Sequence, residues 1–351
     1  MFGFVLFSQC FSRELRTLHV KESGLGDCIS SACDFDTASH TLRNGDTVFF
    51  DQDKIEITSY PSAFSDLLHT AMFMNVTFIS ESGKTEINGR FMAGEQLFDI
   101  HSASRYCWAS FVGFTFTHFE KKVLTRTMTE NQWPLINFKG CTFTENNDDI
   151  IDVNGGTFQF DNCVFTSNRK RPIKAVKEAM IECNDCKFTK SESCFFSDCD
   201  VILNNCQFTD NFGSRGGAIY AASATLTIRG CKFIRNTARI NGGAIYTRLS
   251  ISDLSSDIKD CAFISNTAKE NGTAVYTYLS DMLLENNCFS GDESSEYVQN
   301  QSNNKLVNNE FKSQCAKQLE YEPPKDNHAP LEPNPKYDID VDVGPNVGIE
   351  L

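Results

Sequence analysis

The sequence predicts an all-β fold, a parallel β-helix of about ten coils. Three observations predict it. The phrase Cys-x-Phe recurs at Cys141/Phe143, Cys163/Phe165, Cys186/Phe188, Cys206/Phe208, Cys231/Phe233 and Cys261/Phe263. Carried back to Phe116 and forward to Phe289 and Phe311, the steps between phenylalanines are 27, 22, 23, 20, 25, 30, 26 and 22 residues. Apolar residues within a unit alternate with polar ones, as do Leu226 and Ile228 in "TLTIRG". A fixed period of this size marks a repeat architecture, and alternation by two means strands. Helical repeats would need about 33 residues and 3.6-residue faces. A short-strand unit of this length is one turn of a β-helix, each strand pairing with its equivalent about 4.8 Å away. Ten such coils would stretch to about 50 Å.

Taken in chain order, residues 1–12, "MFGFVLFSQCFS", are apolar enough for the core of a signal peptide over 1–14 but lack a basic start. A signal peptide and a buried first strand both stay open. The coils are expected over residues 15–315. "NGDTVFFDQDKIEI" (44–57) reads as the opening coil, with Val48 and Phe50 on one face and Ile55 and Ile57 on the next. "SAFSDLLHTAM" (62–72) has helical spacing at Phe64, Leu67 and Leu68. It predicts a short excursion over the end of the β-helix, where bare strand edges need cover. "NVTF" and "GFTF" carry the phenylalanine register back to Phe78 and Phe116, and "TEINGRF" and "QLFDIHS" (85–103) read as two strands of a wider coil.

The regular repeats span about 140–290. Stacked coils put equivalent side chains in columns. An inward phenylalanine column accounts for 30 Phe against 2 Trp and 9 Tyr, and an inward cysteine column suits a small, habitually buried residue. The asparagines three residues after Phe are Asn146, Asn168, Asn211, Asn236 and Asn266. They are expected at a sharp bend, in left-handed backbone, bonding along their own column. Gly216-Gly217 and Gly242-Gly243 would let the chain turn without a Cβ clash, leaving Ile219 and Ile245 facing inward. At the far end, 316–351 reads as an acidic, disordered tail. Tyr321–Leu351 holds six of the nine prolines and too little apolar surface to order itself.

The Phe-x-x-Asn copies "FTEN", "FTSN", "FTDN", "FIRN" and "FISN" occur with Gly-Gly-Ala-Ile at 216–219 and 242–245, and with a degenerate "GTAV" at 272–275. Together they resemble the repeats of the chlamydial-type polymorphic outer membrane proteins, found also in surface proteins of some protozoa. The resemblance covers roughly 140–290. It implies a right-handed, pectin-lyase-like β-helix displayed on a cell surface and acting in adhesion. The chain departs from the bacterial pattern, which ends in a membrane β-barrel. Only about 35 residues follow the last coil, too few for eight strands of about ten residues.

Composition narrows the function. A net charge of −14, from 46 acidic and 32 basic residues, argues against nucleic acid and anionic membranes, which need a basic face. No run of 18 apolar residues occurs, so no transmembrane helix is expected. Because pectin-lyase-like β-helices include polysaccharide lyases and hydrolases, catalysis is the serious rival. Hydrolysis needs two carboxylates across a sugar bond, and lyases pair acidic Ca²⁺ sites with a base. "NNDDIID" supplies Asp148, Asp149 and Asp152, read as solvated turn residues. "NRKRPIK" (168–174) is basic with no matching acid near it in the repeat, and none of the six His lies in the regular coils. No catalytic, cofactor or metal residue is assigned. Cys183, Cys186, Cys194 and Cys199 leave open a zinc site, a disulfide among the three off-column thiols, or free buried thiols. Column cysteines are expected as free thiols. Sequons stand at Asn75, Asn271 and Asn300. Asn271 and Asn300 are the candidates for glycans, since Asn75 falls in an expected strand. The expected function is therefore a non-catalytic adhesin-type module, extracellular or at the cell surface, with protein or glycan ligands on another cell or surface. The alternatives are a polysaccharide lyase or hydrolase, and a structural stalk.

Overall fold

The computed structural model describes residues 16–58, 62–71, 75–90, 96–100, 108–126, 134–249, 256–312 and 315. The expected signal peptide and the tail over 316–351 lie outside these residues. Within them every named strand pair is parallel, and strands fall into sheets of 19, 11 and 3 strands. The 11-stranded sheet carries one strand per coil, against about ten coils expected from sequence.

One regular coil shows the plan. Ile219–Ala222 and Thr225–Arg229 belong to the large sheet, Lys232–Ile234 to the 11-stranded sheet and Thr237–Ala238 to the smallest. The large sheet is two ladders, because each coil crosses it twice. Two long strands, Ile151–Asp161 and Ile173–Asn184, run through both and fuse them. Corners between strands use left-handed backbone in register. Gly140, Asn162, Asp185, Asn205, Gly230 and Asp260, each just before a column cysteine, have φ between 52 and 61°. These corners still bond downward, as Asn162 N–H does to Asn184 O at 2.8 Å and Asp185 N–H to Asn204 O at 3.0 Å.

The core is built of stacked rings. Phe143, Phe165, Phe188, Phe208, Phe233 and Phe263 are all buried, with neighbouring centroids 4.6–5.0 Å apart and near-parallel planes. The stack continues to Phe116 at one end and to Phe289 and Phe311 at the other. Phe78 does not belong to it. It lies in the large sheet, opposite Phe111, in a second stack of Phe78, Phe111, Phe138 and Phe160 spaced 5.1–5.4 Å. The phrase "NVTF" matches the pattern, but strand pairing puts Ile55 and Ile87 in the first column instead.

Three more expectations need correction. The opening coil is preceded by the strand Thr17–Val20, which pairs with Thr47–Phe50. Asn75 is not in a strand; it is exposed, just before Val76–Ser80, and its side chain accepts from Trp108 N–H at 3.1 Å. The column asparagines do not take the left-handed conformation. The residues just before them do: Glu145, Ser167, Asp210, Arg235 and Ser265 have φ of 51–56°. This frees each Asn side chain to reach along the column.

The helical excursion forms as α2 (Ala63–Ala71), following α1 (Phe35–Thr41), a helix that the sequence reading missed. Asp34 caps α1, accepting from Thr37 N–H at 2.8 Å. Phe35 and Phe64 pack edge to face at 5.4 Å, and both reach Phe50 of the core.

Candidate functional site

The repeat residues assemble into columns as their register requires. Cys141, Cys163, Cys186, Cys206, Cys231 and Cys261 are buried free thiols. Each Sγ donates to a carbonyl of the preceding coil, from Phe160 O at 3.1 Å for Cys186 to Ile228 O at 3.9 Å for Cys261. The off-column Cys183, Cys194 and Cys199 are buried free thiols too. Burial pushes the Cys183 and Cys231 thiols well up, and Cys194 and Cys199 up to about 12, because a thiolate there would lose its water.

Asparagine amides form a second ladder. Asn211 N–H and Nδ2 both donate to Asn236 Oδ1 at 3.1 Å, while Asn236 Nδ2 donates to Phe208 O at 3.0 Å. The same pattern joins Asn146 to Asn168 and Asn236 to Asn266. Ser191 fills the one gap, between Asn168 and Asn211. At the repeat glycines, Gly216 and Gly242 have φ of 64 and 68°. A Cβ on Gly217 would meet Gly243 O at 2.2 Å, and one on Gly243 would meet Thr273 O at 1.9 Å. Ile219 and Ile245 are fully buried. All these residues hold the solenoid, and none opens on a ligand.

The outward face of the large sheet carries charge chemistry that the sequence reading dismissed. Asp149 is buried, not solvated, and takes a two-pronged bond from Arg171 Nε and Nη2, both 2.9 Å. Asp152 accepts from Lys122 of the preceding coil and, at 3.3 Å, from Lys174 of the following one. "NRKRPIK" therefore has its acids, one coil back and in register, since Ile151–Asn154 pairs with Ile173–Val176. Burial lowers the Lys122 pKa. The bond to Asp152 and the charges of Asp152, Asp148 and Asp149 outweigh it and hold the ammonium above its ordinary value. Arg171 is held up in the same way by Asp149.

Next along the same outward column, the charges give way to rings. Lys174 aligns with Phe195, then Tyr220, Tyr246 and Tyr276. Their centroids step by 5.3–5.5 Å with planes within 15° of parallel. Guanidinium groups sit against this ladder: Arg171 lies 5.6 Å from the Phe195 centroid, Arg248 5.9 Å from Tyr220 and Arg215 5.8 Å from Tyr246. Stacked this way, the ring faces cover one another, so the ladder offers edges and hydroxyls rather than open faces. The signal for it was an aromatic at the third position of "SCFF", "AIYA", "AIYT" and "AVYT".

Two disulfides stand among the described residues, neither foreseen. Cys28–Cys33 closes a loop over the outer edge of the first strand, where His19 N–H bonds Cys28 O at 2.7 Å and Lys21 N–H bonds Cys33 O at 2.9 Å. Cys288–Cys315 ties the end of the described chain to the penultimate coil. Cys288 is free to point outward because Asn287 takes the column position, accepting from Cys261 N–H at 3.0 Å. Of the two glycan candidates, Asn271 is exposed, whereas Asn300, also exposed, donates its Nδ2 to Tyr276 Oη at 3.1 Å.

No curated protein matches the chain. Three solved structures are similar at low level: the pectate lyase Pel9A (9% identical, 86% of this chain and 80% of that one, TM-score 0.37); the AlgE6 A-module, a mannuronan C-5 epimerase of Azotobacter vinelandii (10%, 78% and 92%, 0.37); and tailspike protein 3 of bacteriophage CBA120 (10%, 78% and 59%, 0.20). Likeness this low says nothing of activity. The family model described as right handed beta helix region matches residues 127–266. With every named strand pair parallel and the coils stacked in register, the chain is an all-β, right-handed parallel β-helix.

Proposed function

We propose that the chain is a non-catalytic, secreted or surface-exposed interaction module of the adhesin type. The observation that carries this reading is the state of the charged cluster. Lys122 and Lys174 share Asp152, and Arg171 clasps Asp149. A catalytic lysine base needs a depressed pKa, and Lys122 is shifted the other way. The cluster thus joins three coils rather than waiting for a substrate.

Other features support the surface setting. Phe-x-x-Asn and Gly-Gly-Ala-Ile copies stack in register, the arrangement that a polymorphic outer membrane protein repeat implies. Disulfides persist in oxidising compartments, and the described chain holds two. In-register rows such as Thr144, Thr166 and Thr189 suit broad contact with a protein or glycan ligand.

A polysaccharide lyase or hydrolase is the second reading, favoured by Asp149, Asp152, Lys122, Arg171 and Lys174 meeting on one face. One experiment separates the two. The purified full chain is assayed on acidic polysaccharides, and its binding is screened on glycans and on cells. Binding without turnover is the expected result. Turnover that disappears in Asp148→Asn/Asp149→Asn or in Asp152→Asn would overturn the non-catalytic reading, and absence of both binding and turnover would leave a structural stalk.

A further inference from the structure

The Gly-Gly-Ala-Ile repeat has a fourth copy that its sequence hides, Ser294-Ser295-Glu296-Tyr297. Backbone bonds reveal it. Ala218 N–H donates to Ala244 O, Ala244 N–H to Ala274 O, and Ala274 N–H to Glu296 O, at 2.9, 2.9 and 3.0 Å. Tyr297 correspondingly continues the inward column of Ile219, Ile245 and Val275. Glu296 therefore stands where three coils in succession place an alanine that is at most 1% exposed.

A carboxyl has replaced a methyl in a column built for methyl groups. Glu296 is only 6% exposed. Its Oε2 is buried with no hydrogen-bond partner. Its Oε1 lies 2.4 Å from where a Cβ on Gly291 would sit, so the side chain folds back against its own turn. Asp292 and Glu293 flank it on that turn, α3 (Glu293–Glu296). On the preceding coil it faces Thr273, whose hydroxyl bonds Ser295 O at 3.1 Å and also reaches the carboxyl, where it favours the ionised form against the burial. The charged residues of that stretch, Lys269 and Glu270, are exposed. Among the described residues no cation is bonded to the carboxyl, and Asp292 adds a like charge.

We propose that Glu296 makes the seating of the final coil, residues 293–311, sensitive to pH: docked while the carboxyl is protonated, loosened once it ionises. The coil is poised for this. Among the described residues it pairs with a neighbour on one side only, and Leu306, aligned with the fully buried Leu284, is 38% exposed. Burial, opposed by the bond from Thr273 and reinforced by Asp292, raises the folded-state pKa of Glu296. For a carboxyl so raised, the stabilisation is complete below the ordinary Glu value of about 4.3 and is lost as pH climbs through the folded value. The direction is opposite to that of a salt-bridged acid.

Hydrogen exchange on the full chain, read by mass spectrometry between about pH 5 and pH 8 and corrected for intrinsic rates, tests this. In the wild type, peptides covering 293–311 should lose protection as pH rises, by up to about tenfold for each unit by which the carboxyl is raised. Peptides over 206–248 should not. Glu296→Gln keeps the shape without the charge, and Glu296→Ala restores the column residue. Both should hold the last coil closed at all these pH values. A flat wild-type profile, or a slope that survives in both variants, would overturn the proposal.

Discussion

At the scale of single residues, what matters most is which polar atoms are buried and what each one meets. The six column thiols meet backbone carbonyls and apolar side chains. Burial holds the Cys231 thiol, and the off-column Cys183, Cys194 and Cys199, protonated, and a thiol so held is inert. Iodoacetamide applied to the folded protein should leave Cys183, Cys194, Cys199 and Cys231 unlabelled, with no rise between about pH 7 and pH 10, where an ordinary exposed thiol becomes reactive. Thiol mapping by mass spectrometry checks this, and rapid native labelling would contradict it. Cys206→Ala should cost about 1 kcal/mol, the loss of one small apolar group; Cys206→Asp should cost several, because the charge has no partner. The amide ladder is less forgiving of deletion. Asn236→Ala strands Asn211 N–H in the interior and takes one of two acceptors from Asn211 Nδ2, which keeps Phe188 O at 2.8 Å. At about 1–3 kcal/mol for an unsatisfied buried group, the variant should lose about 1–3 kcal/mol in a urea titration.

At the scale of elements, each coil is held to its neighbours by backbone ladders, by ring stacks and, at several places, by charge. Asp152 links the strands Leu124–Arg126, Ile151–Asp161 and Ile173–Asn184 through Lys122 and Lys174. Its side chain is 14% exposed and each lysine 30%, so solvent screens part of the attraction. Asp152→Asn leaves two ammonium groups facing each other and should cost about 1–2 kcal/mol. Thermal melts at low and high salt test it: the deficit should narrow as salt is added. A variant as stable as the wild type at low salt would mean that the cluster does not hold the coils together.

For the molecule as a whole, the ends decide stability, because interior coils are covered on both sides and terminal ones are not. The N-terminal edge is shielded by the Cys28–Cys33 loop and by α1 and α2. The other end relies on Cys288–Cys315, which closes 27 residues of chain against 5 for the first bridge. Chain entropy scales with the logarithm of loop length, so the longer bridge contributes about 3 kcal/mol and the shorter one less. Cys288→Ser with Cys315→Ser should lower the denaturant midpoint more than Cys28→Ser with Cys33→Ser. In hydrogen exchange the first pair should unprotect residues 282–311 while leaving 141–248 unchanged. The reverse order would place the weak end at the N-terminus.

The sequence by itself determined the parallel coils, the Cys-x-Phe column, the inward Ile219 and Ile245, and the excursion at 62–72. Each follows from spacing, and spacing survives folding because identical coils stack in register. It could not say which of two phenylalanine columns Phe78 joins, since both read as alternate apolar residues and only strand pairing separates them. It mistook Asp149 for a solvated residue because its partner Arg171 lies 22 positions on, one coil away, a distance that means contact only once the period is known residue by residue. The fourth Gly-Gly-Ala-Ile copy was illegible for a similar reason: no letter of it matches, and backbone pairing with the preceding coil is what aligns it. Tertiary structure therefore decided every feature that depends on what the next coil places alongside, above all the charged cluster, the tyrosine ladder and the buried carboxyl of the final coil.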